Sequence, residues 1–201
     1  MQLPILNYGG PVHLCATEAD LHAAHDALRH ERVIGFDTET RPTFKKGDSH
    51  TPSLVQLAGS HAVYLFQLKR LDCAAVLTAI FDNTHICKTG IAIGRDLTDL
   101  QKVFSFKPAN FLDLGDVAKK VGYEQTGVRN LVGMFLRGRI TKSAQTSNWA
   151  SPTLTHKQIT YAATDAWASR QLYLKFEELG LFAAAAKIVE KKTPRTTSPP
   201  P

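Results

Sequence analysis

Four acidic residues and one tyrosine carry the chemical signal in this sequence. Asp37-Thr38-Glu39 closes an apolar run, Val33-Ile34-Gly35-Phe36. Side chains alternate across a β-strand, so residues i and i+2 share a face. Asp37 and Glu39 therefore point the same way, close together. Two neighbouring carboxylates repel unless a proton or a cation neutralises them, and a hard divalent metal with oxygen ligands is a natural neutraliser. A solvated strand end would carry the same triplet without any function, so the pattern needs support from elsewhere in the chain. Tyr161 and Asp165, in YAATDAW, give some: the i, i+4 spacing stacks both on one face of a helix. An amphipathic helix with a core tyrosine and an exposed aspartate would read the same way. Asp96, in GIAIGRDLTDL, lies near the start of a helix, where the helix dipole alone favours a carboxylate. Asp99, three residues on, competes for the same part. Leu97 and Leu100 mark the buried face of that helix and leave Asp96 near its edge.

The elements that must position these groups follow from periodicity. Residues 11–16 read as a first strand, and Thr17 as the N-cap of a helix in which Leu21, Ala24 and Leu28 recur at helical spacing. Residues 33–39 form a central strand ending in a polar edge. SLVQLAG (53–59) and HAVYLF (61–66), separated by little more than Gly59-Ser60, predict a β-hairpin. Residues 71–81 read as helix and 86–88 as a short strand, with helices over 94–104, 113–121 and 127–136. A long helix from Thr155, its cap, to Leu179 stops at Gly180. Strands first and mostly helices afterwards imply an α/β layer architecture with a mixed sheet. Residues 1–180 are expected to form one domain. Residues 181–201 are expected to add a helical extension and a disordered basic tail, because KKTPRTTSPPP cannot bury apolar surface.

Composition narrows the class without deciding it. A chain of 201 residues, 43% hydrophobic and 21% charged, is ordinary for a globular protein with a real core. No apolar run approaches the ~18 residues of a membrane-spanning helix. The start, MQLPILNYGG, has no basic residue ahead of its short apolar patch, so no secretory signal is expected. Cys15, Cys73 and Cys87 are odd in number, widely spaced and without a CxxC pair; reduced thiols in a cytoplasmic protein are the expectation. The net charge of +6 invites a nucleic-acid partner. Half of that excess sits in residues 187–201, where Lys187, Lys191, Lys192 and Arg195 face one acid, Glu190. Charge alone thus identifies no partner. The eight histidines include no HxxxH pair, and His156 reads as part of a helix start.

Taken in order and local context, Asp37, Glu39, Asp96, Tyr161 and Asp165 resemble the DEDD exonuclease superfamily, in its tyrosine-containing branch. FDTET matches the first motif, GIAIGRDLTDL the second and YAATDA the third, and the likeness runs from about residue 11 to residue 178. Within that branch the sequence is more similar to the Werner-type exonuclease domain than to ribonuclease D. Arg41-Pro42 directly after the acidic motif, SLVQLA, and Ser147-Asn148-Trp149 ahead of the last helix point there. Ribonuclease D also carries helical domains beyond its exonuclease domain, and this sequence ends without them, so a dedicated tRNA-maturation role is not expected.

The resemblance implies a ribonuclease-H-like fold, a mixed sheet flanked by helices. It implies a 3′→5′ exonuclease that takes DNA or RNA with a free 3′ end, DNA being favoured, and that releases nucleoside 5′-monophosphates. It also implies two divalent ions, Mg2+ or Mn2+, about 3.5–4 Å apart. Asp37 would bridge both; Glu39 and Asp165 would bind the ion that activates water; Asp96 would hold the other. Tyr161 would orient the attacking water. Its ordinary pKa of ~10 keeps it protonated at neutral pH, which favours positioning over proton abstraction.

Phosphate contacts are expected from Arg41, Lys45 and Lys46, in the loop after the acidic strand, and from Lys142. Thr38 is a further candidate substrate contact. Phe44 and Trp149 are candidate stacking platforms for terminal bases. Leu54 and Gln56 are expected to line the pocket of the 3′ nucleotide. Two other readings use the same residues: a nucleic-acid-binding module without catalysis, disfavoured because all four acids and the tyrosine are present, and an RNA-trimming enzyme of the ribonuclease D kind.

Overall fold

The computed structural model describes residues 3–43, 47 and 49–192. Its strands are β1 (Val12–Cys15), β2 (Val33–Thr40), β3 (Pro52–Ala58), β4 (Val63–Gln67), β5 (Cys87–Gly90) and β6 (Phe111–Asp113). Its helices are α1 (Glu18–Leu28), α2 (Ala74–Phe81), α3 (Gly94–Leu100), α4 (Leu114–Lys120), α5 (Val128–Phe135), α6 (His156–Glu178) and α7 (Leu181–Lys192). The strands make one mixed sheet in the order β1-β4-β3-β2-β5-β6. β2, β3 and β4 are antiparallel neighbours, while β1 runs parallel to β4 and β5 and β6 run parallel to β2.

β2 is central and covered on both faces, which is why its apolar start is continuous rather than alternating. On one face Ile34 and Phe36 pack with Val55, Leu57 and Phe66 against the inner stripes of α1 and α2. On the other, Leu54, Ala58 and Leu65 meet Ala162, Ala163 and Ala166 of α6. The second half of α6, through Ala168, Leu172 and Phe176, forms a further core with α4, α5 and α7.

Both expected N-caps are present as capping boxes, Thr17 with Asp20 and Thr155 with Gln158. Each side chain satisfies a backbone donor that the first helical turn leaves free. Gly180 takes a φ of +68 directly after α6, a conformation glycine adopts without steric cost. The hairpin is present, with a four-residue connection of Gly59–Ala62 closed by Gly59 N–H donating to the Ala62 carbonyl.

Several expected boundaries are corrected. The helix expected over 94–104 ends at Leu100, and that over 71–81 begins at Ala74. Strand β6 was hidden in the sequence: three residues are too few to show a period. Asp113, expected inside a helix, instead caps α4 by accepting from Gly115 and Asp116 N–H. Residues 181–192 extend α6 into α7; the tail from 193 to 201 lies outside the described residues. No helix among the described residues is long and apolar enough to cross a membrane.

Candidate active site

The acidic triplet occupies the outer half of β2, and its alternation does what the spacing requires. Asp37 and Glu39 face α6, and the register sets Asp37 opposite Gln56 and Glu39 opposite Leu54 on β3. Asp165 comes to them on α6. One carboxylate oxygen from each of Asp37, Glu39 and Asp165 lies within 4.8 Å of the other two.

The approach of α6 has an identifiable cause. A Cβ on Gly35 would meet the Ala166 carbonyl oxygen at 1.9 Å, so only glycine lets the helix backbone sit this close to β2. Alanines at 162, 163 and 166 keep the rest of that contact thin. Arg170, one turn further along α6, donates to the Val33 carbonyl at 3.2 Å and pairs with Glu31 at 3.6 Å, fixing the helix lengthwise along the strand.

Asp96 arrives from the opposite face. Thr38 points away from Asp37 and Glu39, and its hydroxyl donates to Asp96 Oδ1. The chain enters α3 through Ala92, whose φ of 59 is left-handed, at a cost of about 1–2 kcal/mol for a non-glycine residue. Asp96 stands outside the three-carboxylate group yet close enough for its charge to act on both Asp37 and Glu39.

The electrostatics are those of crowded, buried acids. Burial first, then Asp165 and Asp96, hold the Asp37 carboxyl well above the usual carboxylate range. Burial, reinforced by Asp37, Asp165 and Asp96, pushes Glu39 up to about 10. Burial raises Asp165 to about 7, against the opposing effects of a hydrogen bond from the Tyr161 hydroxyl and the positive charge of Arg129 on α5. Asp96 is also raised by burial, with the Thr38 hydrogen bond acting the other way. Such a cluster stays protonated unless a cation replaces the protons. An all-oxygen donor set in this arrangement fits a hard divalent ion such as Mg2+ or Mn2+.

Comparison with known proteins agrees with this geometry. A family model described as 3′-5′ exonuclease matches residues 12–180. The chain belongs to the 3′-5′ exonuclease family. Among its relatives are an exonuclease mut-7 homolog of Aedes aegypti, 31% identical over 83% of this chain and 26% of that protein, and the bifunctional 3′-5′ exonuclease/ATP-dependent helicase WRN of Mus musculus, 34% identical over 74% of this chain and 11% of that protein. A ribonuclease D of Sphingobium indicum is 31% identical over 72% of this chain and 38% of that protein. The chain thus spans well under half the length of these relatives. The Nibbler EXO domain of Aedes aegypti superposes with a TM-score of 0.79 at 24% identity, covering 91% of this chain and 99% of that one. Escherichia coli RNase D superposes with a TM-score of 0.75 at 25% identity, covering 90% of this chain and 48% of that one. Fold, motifs and family together place the chain in the DEDD superfamily.

Around the acidic cluster the remaining candidates fall into three groups. Arg41 and Lys142 are exposed on loops. Phe44, Lys45 and Lys46 lie outside the described residues. Thr38, Leu54, Gln56 and Trp149 are buried, which changes how they act. Leu54 and Gln56, both 0% exposed, form the floor beneath the carboxylates rather than the wall of an open nucleotide pocket. Trp149, 1% exposed, offers no free ring face for a base; it backs Tyr161 with ring centroids 6.0 Å apart. A sequence shows that an aromatic is near a site, but not which way it faces.

Arg129, Gly35 and Arg170 were not singled out from the sequence. Gly35 alone had a signal there, as the one glycine inside an otherwise apolar strand.

Two clefts of about 370 Å3 each adjoin the acids. One reaches Tyr161 and Asp165 along α6, and the other reaches Asp96 beside Thr40 and Pro52.

Proposed function

We propose that this chain is a metal-dependent 3′→5′ exonuclease that hydrolyses the terminal phosphodiester bond of a nucleic acid and releases nucleoside 5′-monophosphates. The observation that carries this reading is the convergence of Asp37, Glu39 and Asp165 from two elements far apart in sequence, with Asp96 and Tyr161 alongside. Asp37, Glu39 and Asp165 would hold one divalent ion, and Asp37 with Asp96 a second. Ions bound there supply positive charge to the phosphate and make water a better nucleophile at neutral pH.

The protein's own groups do the positioning. Burial first, then the charges of Asp165 and Glu39, hold the Tyr161 phenol above its ordinary pKa. It therefore keeps its proton and orients water by hydrogen bonding instead of acting as a base. Gly35 and Arg170 set the depth and register of Asp165. Thr38 sets the carboxylate of Asp96. Arg41 and Lys142, exposed on loops, are suited to phosphate contacts, which add affinity but no sequence preference.

DNA is the favoured substrate, on the 34% identity with a WRN relative. RNA is the second reading, supported by the 31% identity with a ribonuclease D. The test is digestion of matched, 5′-labelled DNA and RNA strands with Mg2+, Mn2+ or EDTA, beside an Asp37→Ala control. Stepwise shortening that needs metal and vanishes in Asp37→Ala is expected, faster on DNA. Normal turnover by Asp37→Ala would show that the carboxylate cluster is not the reaction centre.

A further inference from the structure

The cleft on the α6 side of the acids continues well beyond them. From Tyr161 and Asp165 it follows the helix back through Thr160 to Lys157 and His156 in the first turn. Its opposite walls are formed by Ile140, Thr141 and Ser143 and by the segment around Ile5 and Asn7. That second wall is fixed: Leu6 N–H donates to the Arg139 carbonyl at 2.9 Å, Arg139 N–H to the Pro4 carbonyl at 2.8 Å, and Tyr8 N–H to Thr164 Oγ1 at 3.0 Å. The cleft is therefore a formed trough with acids at one end and two exposed basic side chains at the other. Those side chains have no ion-pair partner among the described residues.

From this we infer that His156 and Lys157 clamp a backbone phosphate of the substrate strand at a distance from the scissile bond. The inference rests on the exonuclease reading and assigns a subsite to it. Eight residues of helix separate Lys157 from Asp165, about 12 Å along the axis. That is too far for Lys157 to touch the phosphate held at the acids. A strand cut at its 3′ end has only one nucleotide beyond the scissile phosphate, so every other phosphate lies on the 5′ side. The clamp must then hold the 5′-side strand, which runs along the trough past Thr160. The N-terminal end of a 23-residue helix adds its partial positive charge at the same place. A phosphate contact reads no base, so the clamp lengthens the footprint without adding sequence preference.

The test is the paired variant His156→Ala/Lys157→Ala, measured on a fluorescein-labelled oligo(dT) and on a thymidine dinucleotide. Both positions are exposed, and circular dichroism against wild type checks that the variant folds. On the long strand, KM should rise about tenfold with kcat within about twofold. The log–log salt dependence of binding should become shallower by about one. The advantage of the long strand over the dinucleotide in kcat/KM should shrink by the same factor of about ten, and Lys157→Arg should restore most of it. Affinity is also read by anisotropy with Ca2+ in place of Mg2+, so the clamp is scored without turnover. A wild type that binds the strand but never cleaves it would overturn the nuclease reading alone. Unchanged KM, Kd and salt slope in the paired variant would overturn the clamp.

Discussion

Asp96 differs from the other acids in how it is held. Asp37, Glu39 and Asp165 are delivered to one another by packing, whereas Asp96 is steered by a single hydroxyl, that of Thr38. The hydrogen bond works against the rise that burial imposes on the Asp96 carboxyl, so it favours the anionic form that a metal takes. Residues that orient a ligating carboxylate in this way typically matter roughly 10–100-fold in metal affinity or activity. Thr38→Val keeps the shape and removes the donor. Its expected outcome is a loss of turnover in that range at low Mg2+, largely recovered at high Mg2+, with little change in oligonucleotide affinity. A Mg2+ titration of activity measures this, and a half-saturating concentration equal to wild type would remove Thr38 from the site. The pairing itself was not readable from sequence. Thr38 and Asp96 are 58 positions apart, and no local period links them. Asp37 with Glu39, and Tyr161 with Asp165, were readable because strand and helix geometry alone puts each pair on one face.

At the scale of elements, the site is a crossing of α6 over β2, and its precision comes from the thinness of that contact. The sequence showed both elements through their periods and their caps, down to Thr155 and Gly180. It did not show how close they come, because closeness depends on what each presents to the other once packed. Gly35 meets Ala166, and Arg170 meets Glu31 and Val33. Both contacts join segments more than a hundred residues apart in the chain. Strand β6 was missed for a related reason: its three residues are ordered by pairing with β5, not by a pattern of their own. Gly35→Ala tests the crossing. The new methyl would sit at 1.9 Å from the Ala166 carbonyl, so helix and strand must separate. Overpacking of this kind costs typically 1–3 kcal/mol. Urea denaturation should show that loss. Activity should fall much further than stability predicts, because Asp165 moves away with the helix. Wild-type kcat in a destabilised Gly35→Ala protein would mean that the spacing of α6 and β2 is not what aligns the acids.

The whole molecule carries the cost of assembling these acids, and it does so in a pH-dependent way. An unfolded chain releases carboxyl protons near pH 4, whereas the folded site retains them until about 7 for Asp165 and about 10 for Glu39. Below pH 4 both states are protonated and the cluster costs little. As pH rises from there through the folded values, the unfolded state binds fewer protons than the folded one, so metal-free stability declines. A divalent ion held by these carboxylates would reverse that decline by replacing the retained protons. Its binding free energy adds to the folding free energy, about 2.7 kcal/mol when the ion is a hundredfold above its dissociation constant. For a domain of this size that corresponds to a rise of about 5–10 °C in Tm. The increment should be clearly larger at pH 8 than at pH 5, where protons compete at every one of these oxygens, and should go on growing toward pH 10 as Glu39 gives up its proton. Thermal melts with Mn2+ and with EDTA at the two pH values measure it. Asp37→Ala should show almost no increment at either. An equal rise in Tm at pH 5 and pH 8 would mean that the ion stabilises the fold somewhere other than at these carboxylates.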